Sequence, residues 1–344
     1  MKHHLNTLFI QTDGAYLARR GETLLVRVDA EDKLRVPVHT IGGVVTLGRV
    51  NASTAALALC AERGVAVSFC NAGGRLLARV TGFTPGNVLL RRDQYRAADN
   101  PSASTQIAVP MVAAKIANAR TTLLRAIRDH GDPSDRLAAA ASRMAASSHQ
   151  AMKCGSLDEL RGIEGDAASD YFSVLDLLVT IPEAERGEFR INGRSRRPPM
   201  DRVNALLGFL YAMLTHDARS ACEAAGLDAA VGFLHRDRPG RPSLALDLME
   251  ELRSFLCDRL ALSLINRRQV RASGFEVLEG GAVRMSDDTR RAVIVAYQRR
   301  KQEEITHPYL QERTTLGLIV HLQARLLSRV LRGELDTYPA FIVK

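Results

Sequence analysis

Four polar side chains interrupt apolar stretches in the second half of this 344-residue chain, and their types suit a hard divalent cation. The first is Glu164. Ser156 and Glu159 form an S-x-x-E capping box, so a helix is expected from residue 156. At 3.6 residues per turn Leu157, Leu160, Glu164, Ala167, Ala168 and Tyr171 share one face of it. A carboxylate on an apolar face needs a cation, a metal or a cluster of donors, because burying it alone is expensive. An Arg partner would satisfy it as simply as a metal would. Gly162 and Gly165 flank Glu164 and would let another segment come close. The second is His235, which ends the run Val231-Gly-Phe-Leu and opens a polar loop, Arg236-Asp-Arg-Pro-Gly-Arg-Pro242. Such a His is either a hydrogen-bonded structural residue or a metal ligand beside a phosphate site. The last two are Asp247 and Glu250, three residues apart on a helix expected from Ser243, with the small residues Ser254 and Ala261 further along that face. A solvated acidic first turn accounts for Asp247. It accounts less well for Glu250, whose helix is apolar on nearly every other side. Carboxylate, imidazole and carboxylate from separate segments could hold manganese or magnesium, with positions left for water and phosphate oxygens. Asp247 could bind a second metal or orient a water.

Basic residues supply the complementary feature. Six Arg (186, 190, 194, 196, 197 and 202) fall between Arg186 and Arg202, where Gly187, Gly193, Pro198 and Pro199 disfavour regular helix. Arg194, Arg196 and Arg197 are candidate phosphate contacts there, unless the loop is merely solvated. Arg241 is a further candidate, six residues past His235 and at the start of the helix that carries Glu250. Over the whole chain Lys plus Arg is 47 against 38 Asp plus Glu, a formal charge of +9. Only Lys2, Lys33, Lys115, Lys153, Lys301 and Lys344 are lysines, leaving 41 Arg. A GC-rich genome explains the choice of Arg over Lys but not the positive balance, which points to a polyanionic partner.

These residues need a scaffold, and the sequence divides into two parts. Residues 1–90 read as a small antiparallel sheet or barrel, with short apolar runs at Thr7–Gln11, Ala15–Arg19, Thr23–Val28, Val36–His39, Gly43–Leu47, Val65–Cys70 and Arg75–Val80. The turn Asn71–Gly74 joins the last two, and one helix, Ala55–Arg63, sits between a Ser53 cap and Gly64. Residues 91–105, rich in Asp, Asn, Pro and Ser, read as a linker. Residues 106–344 read as an all-α catalytic domain with helices near 106–130, 133–150, 156–179, 201–225, 243–266, 286–306 and 309–333, and one hairpin at Phe275–Met285. The fold class is therefore α+β, a β-rich N-terminal domain followed by a larger helical one.

Composition excludes several classes. With 46% hydrophobic and 25% charged residues the chain is neither disordered nor fibrous. Its longest apolar runs fall far short of the ~20 residues of a membrane span. No apolar h-region follows the N-terminus, so a secretory signal is not expected. Five scattered cysteines without a CxxC pair argue against zinc and disulfides and for a reducing cytoplasm.

Four segments together carry a family resemblance: Leu160-Arg-Gly-Ile-Glu-Gly-Asp-Ala-Ala-Ser-Asp-Tyr-Phe172, Val203-Asn-Ala-Leu-Leu-Gly-Phe-Leu-Tyr211, Val231-Gly-Phe-Leu-His235 and Arg241-Pro-Ser-Leu-Ala-Leu-Asp-Leu-Met-Glu-Glu-Leu-Arg253. In this order and spacing the chain resembles the CRISPR-associated adaptation integrases over essentially its whole length, and among them those of type I-C systems. The resemblance implies Glu164, His235 and Glu250 as ligands of a divalent metal, magnesium or manganese, with Asp247 at a second acidic position. The third ligand is Asp in many members and Glu250 here. It also implies metal-dependent endonuclease activity and insertion of captured fragments into a CRISPR array by attack of a 3′-hydroxyl on a phosphodiester. The implied partners are double-stranded and branched DNA. A homodimer through the N-terminal domain is implied too, with two such dimers bridged by a dimer of a small ferredoxin-like adaptation protein. On the residues alone two other classes stay open: a basic DNA-binding structural protein without catalysis, and a metallohydrolase of small phosphorylated substrates.

Overall fold

The structure, a computed structural model, describes residues 6–72, 76–82, 88–132, 134–191, 193–195 and 198–343. Chain contacts divide it into two compact units, Met1–Gly86 and Asn87–Lys344.

The first unit contains β1 (Thr7–Ile10), β2 (Tyr16–Arg20), β3 (Thr23–Val28), β4 (Glu31–Pro37), β5 (Gly43–Leu47), β6 (Asn51–Ala52), α1 (Thr54–Glu62), β7 (Ala66–Cys70) and β8 (Leu76–Val80). They form two four-stranded sheets, ordered β1-β5-β7-β8 and β4-β3-β2-β6. The expected small antiparallel sheet or barrel is thus corrected to two mixed sheets. β1 with β5, β5 with β7, and β2 with β6 are parallel pairs. A parallel neighbour needs a crossover. For β5 and β7 it runs through α1, and for β1 with β5 and β2 with β6 it runs through the other sheet. Ser53 caps that helix by accepting the Ala56 amide, 3.1 Å, and Gly64 leaves it at φ +69°. Leu17 and Leu24 of one sheet, Val44 and Val67 of the other, and Leu59 of α1 meet in one core. The turn through Gly73, Gly74 and Arg75 lies outside the described residues.

The second unit contains α2 (Val88–Asp99), α3 (Pro101–His130), α4 (Arg136–Ala151), α5 (Leu157–Phe172), α6 (Glu183–Arg186), α7 (Arg202–Ala224), α8 (Ser243–Glu250), α9 (Arg259–Asn266), β9 (Phe275–Val277), β10 (Val283–Met285), α10 (Asp287–Lys301), β11 (Glu304–Thr306), β12 (Arg313–Thr315) and α11 (Leu316–Leu331). The long α3 packs against α4, α5 and α8, and α7 packs against α8, α9 and α11. The site residues lie where α3, α5 and α8 meet.

Residues 91–105, read as a linker, are helical in α2 and α3. Their Asp-Asn-Pro-Ser cluster is a cap. The Asn100 side chain accepts the amides of Ser102 and Ala103, and Pro101 opens α3 where its missing N–H costs nothing. Three further boundaries move. α5 stops at Phe172, and a short 3-10 turn at Leu175–Leu178 follows. The helix expected over 243–266 is split by a π-helical turn, Arg253–Asp258. The second unit holds a hairpin besides the expected one, β11 against β12. Pro133, offered as a helix boundary, lies outside the described residues.

None of the five cysteines is in a disulfide, and burial pushes the Cys60 and Cys70 thiols up to about 11, which keeps them as inert core atoms. Among the described residues no helix is long and apolar enough to cross a membrane.

Candidate metal centre

α8 delivers the buried half of the site. Asp247 is fully buried, and Gly232 is the reason it can be answered by backbone. A Cβ on Gly232 would stand 2.7 Å from Asp247 Oδ2 and 2.8 Å from the Ser243 carbonyl carbon, so only glycine lets the 231–235 segment lie this close to α8. Asp247 Oδ2 accepts the amides of Phe233, 2.6 Å, and Leu234, 3.1 Å, while Oδ1 accepts the His235 amide, 3.0 Å. Oδ1 also takes the His235 ring at Nδ1, 2.6 Å away. A carboxylate only accepts, so Nδ1 carries a proton, and in the neutral ring the lone pair is on Nε2. That nitrogen faces Glu250, 3.9 Å from Oε1. Asp247 therefore has every lone pair directed at the His235 segment. Of the two roles the sequence left open for it, metal binding and water orientation, neither describes its contacts. It holds His235 in place.

Glu250 is buried between two cations, with Arg253 Nη1 2.7 Å from Oε1 and Lys115 Nζ 2.8 Å from Oε2. Burial pushes its carboxyl up, but Arg253, Lys115 and His235 outweigh burial and hold it well below the usual carboxylate range. Glu164 reaches the same ammonium from α5, its Oε1 hydrogen-bonded to Lys115 Nζ. The partner of Glu164 is thus a lysine shared with Glu250, and Glu164 sits at the rim of the apolar face, half-buried. Gly162 and Gly165 do not admit a neighbouring segment: a Cβ at either would meet open space.

The sequence reading missed the braces. Arg161, one turn before Glu164, donates from Nη2 and Nε to the Leu234 carbonyl, 2.7 and 2.9 Å, tying α5 to the His235 segment. Asn118 of α3 donates to the Glu251 carbonyl, 2.7 Å, and to that of Phe341, 2.8 Å. The Glu251 carboxyl, pushed up to about 7 by burial, takes Tyr338, Gln323 and the Phe341 amide. The signal for Lys115 was available in the composition. In a chain that uses 41 Arg and six Lys, a lysine in the middle of an otherwise apolar helix stands out.

The basic candidates divide. Arg194 turns inward. Its Nη1 donates to Asn204 Oδ1, 2.5 Å, and to the Ser195 carbonyl, 2.6 Å, and its guanidinium lies 5.2 Å from the Tyr211 ring centroid. The candidate phosphate contact is thereby corrected to a brace for its loop. Arg202 is likewise held by Glu188, 2.8 Å. Arg196 and Arg197 lie outside the described residues. Arg241 is half-buried at the start of α8, where its amide closes the turn onto the Arg238 carbonyl, 2.9 Å.

Behind Glu250 the π-helical turn re-aims the next side chains. Arg253 lies over Tyr211, 4.2 Å from its centroid, and the Tyr211 hydroxyl donates to Asp258 Oδ1, 2.5 Å. Burial pushes Asp258 up to about 6, against the pull of Tyr211 and Arg253. The folded chain therefore binds this proton more tightly than the unfolded one. The resulting stabilisation is present at low pH and is lost as pH rises from about 4 to about 6. Asp258→Asn never ionises, so its melting temperature minus that of the wild type should climb by a few degrees over this interval and level off above it. A difference that stays flat with pH would contradict the assignment.

The donor set fits a hard divalent cation. It offers two carboxylates and an imidazole nitrogen whose tautomer is fixed, and the carboxylates already draw one cationic group between them. As placed, the ligands do not close on a point. Among the described residues no three His, Cys, Asp or Glu side chains are tight enough to share an ion.

A family model described as CRISPR associated protein Cas1 matches residues 8–299. The chain belongs to the Cas1 family. It is 51% identical, over 344 residues and 99% of each chain, to a CRISPR-associated endonuclease Cas1 of Chlorobaculum tepidum. Its fold matches a Cas1 protein of Thermotoga maritima with TM-score 0.79 at 22% identity, covering 98% of this chain and 100% of that one. It also matches a chain of a Cas6-RT-Cas1–Cas2 complex with TM-score 0.82 at 24% identity, covering all of this chain and 36% of that one. The β-rich unit followed by a mostly helical one is thus the Cas1 fold.

Proposed function

We propose that this Cas1-family chain is the metal-dependent DNA endonuclease and strand-transferase of CRISPR adaptation, inserting captured DNA fragments as new spacers. One observation carries the reading. In a chain half-identical to named Cas1 endonucleases, Glu164 and Glu250 come from separate helices to share a single cation beside a His with a fixed tautomer. Glu164, Glu250 and His235 Nε2 would hold magnesium or manganese, which when bound supplies Lewis acidity toward the phosphate and lowers the pKa of the attacking hydroxyl or water.

The chain's own residues do the rest. Asp247 fixes the proton on His235 Nδ1 and aims Nε2 at Glu250. Arg253 keeps Glu250 ionised, so the site presents negative charge to a cation rather than a proton. Arg161 fixes the distance between the segment of His235 and the helix of Glu164. Open space beside Gly162 and Gly165 leaves the Glu164 side free for a DNA strand. A 3′-hydroxyl attacking there forms the new phosphodiester and releases the old 3′-oxygen. Water in place of the hydroxyl gives hydrolysis, so cleavage and integration need one site.

The proposal extends to partners. A homodimer through the N-terminal unit, two of which flank a dimer of a small ferredoxin-like adaptation protein, would set two sites at a fixed separation for paired strand transfer. Type I-C is the subtype proposed from the motif resemblance.

Incubating branched DNA with the purified chain, with and without manganese, tests the reading. Cleavage and joining only with the metal is expected. Binding without cleavage at any metal concentration would leave a DNA-binding structural protein, and hydrolysis confined to small phosphate esters would leave a metallohydrolase. DNA affinity should fall linearly in log–log form with salt, by roughly a thousandfold between ~50 and ~200 mM if about six phosphates are contacted. Affinity that stays flat over that range would rule out phosphate-dominated binding.

A further inference from the structure

Lys115 has no part in the site as the sequence describes it, yet its ammonium bridges the two carboxylates. We infer that Lys115 is an internal counter-ion which occupies the cation position of the metal-free site and must be displaced when a divalent metal binds. The inference rests on the metal site proposed above.

Three observations support exchange over a permanent cross-link. First, Glu250 keeps a second cation. Arg253 lies 2.7 Å from its other oxygen, so release of Lys115 does not strand a buried carboxylate without positive charge. Secondly, the base of Lys115 is fixed by backbone contacts, while its tip is held by the two carboxylates that a metal would take over. Asn118, one turn along α3, pins the helix to the Glu251 and Phe341 carbonyls, and four flexible methylenes join the Lys115 backbone to its ammonium. The route out lies toward Glu164, whose side chain is 27% exposed against 4% for Glu250. Thirdly, the residue type is the displaceable one. Arg is the overwhelming cation of this chain, and its planar fork would bind two carboxylates at several points. Lys offers a compact point charge that a divalent ion can out-compete.

The experiment is a titration of the full-length chain with manganese, followed by calorimetry and by the electron paramagnetic resonance of free manganese, on wild type, Lys115→Met and Lys115→Arg. Removing a competitor tightens binding, and strengthening it weakens binding. Lys115→Met should bind manganese at least about tenfold tighter than wild type, and Lys115→Arg about tenfold weaker. Without metal, Lys115→Met should melt below wild type, and saturating manganese should close that gap. Weaker or equal binding by Lys115→Met would overturn the inference, since a lysine that merely shapes the site costs affinity when lost. Should Lys115→Met fold only with manganese present, exchange is again supported. Failure to fold at any concentration, in Lys115→Met and in Lys115→Gln alike, would make Lys115 a structural cross-link and overturn it. Wild type that binds no manganese at all would instead sink the metal site itself.

Discussion

Glu164→Ala is expected to lose metal-dependent cleavage and integration by at least about a hundredfold, because even residues that only orient metal ligands cost ten- to a hundredfold. The protein should nonetheless stay folded. Glu164 is half-buried at the edge of α5, and its loss leaves Lys115 still paired with Glu250 at 2.8 Å. Glu250→Ala should lose activity to the same extent for a second reason as well. Glu250 is buried against both Lys115 and Arg253, and removing it takes the carboxylate from buried Arg253 and leaves Lys115 with Glu164 alone. Breaking a buried pair costs on the order of 3 kcal/mol or more, so this variant should melt measurably below Glu164→Ala. The pair is read by cleavage assays alongside thermal melts. Equal melting temperatures would mean that Glu250 is solvated and its ion pairs are worth little. Full cleavage by Glu164→Ala would remove α5 from the site.

The difference between these two carboxylates shows what a sequence can reveal. Glu164, His235 and Glu250 are visible because each is a polar interruption of an apolar pattern, and periodicity places such interruptions on faces. Periodicity does not say what answers them. Lys115 went unseen because a lysine in a helix reads as a surface residue, and its partners lie 49 and 135 positions further along the chain. Arg161 reaches Leu234 across a similar gap, through a carbonyl that no side-chain pattern records. Arg194 failed in the opposite sense. An Arg between glycine and prolines reads as a free phosphate contact, but Asn204 and Tyr211 of α7 take its guanidinium inward. Local signals were also double-valued. The Asp-Asn-Pro-Ser run that marks a linker equally marks a helix cap, and Asn100 and Pro101 use it as a cap. Short apolar runs at β5 and β7 announce strands, but only the crossover through α1 makes them parallel.

Asp247→Asn is expected to weaken manganese binding and cleavage by about ten- to a hundredfold with the three proposed metal ligands all still present. The carboxylate accepts three backbone amides and the His235 ring at once. An amide offers one oxygen, and its NH2 group must then point at a donor, either a backbone N–H or the Nδ1 proton. If the ring yields, it flips or changes tautomer and Nε2 no longer faces Glu250 as a free lone pair. Nitrogen-15 chemical shifts of the His235 ring distinguish that outcome from a general loosening, because only the former moves the proton between ring nitrogens. Gly232→Ala attacks the same cradle from the other side. Its Cβ would press on Asp247 Oδ2 and on the Ser243 backbone, and backbone cannot rotate away as a side-chain tip can. Overpacking of this kind costs about 1–3 kcal/mol, so Gly232→Ala should lower both the melting temperature and manganese affinity. Asp247→Asn should lower affinity more than its effect on stability explains. If both variants bind manganese as the wild type does, His235 is held by something other than Asp247 and the tautomer argument fails. If Asp247→Asn alone is impaired, the 231–235 segment can shift to accept a methyl group without moving the ring, and the cradle is softer than its hydrogen bonds imply.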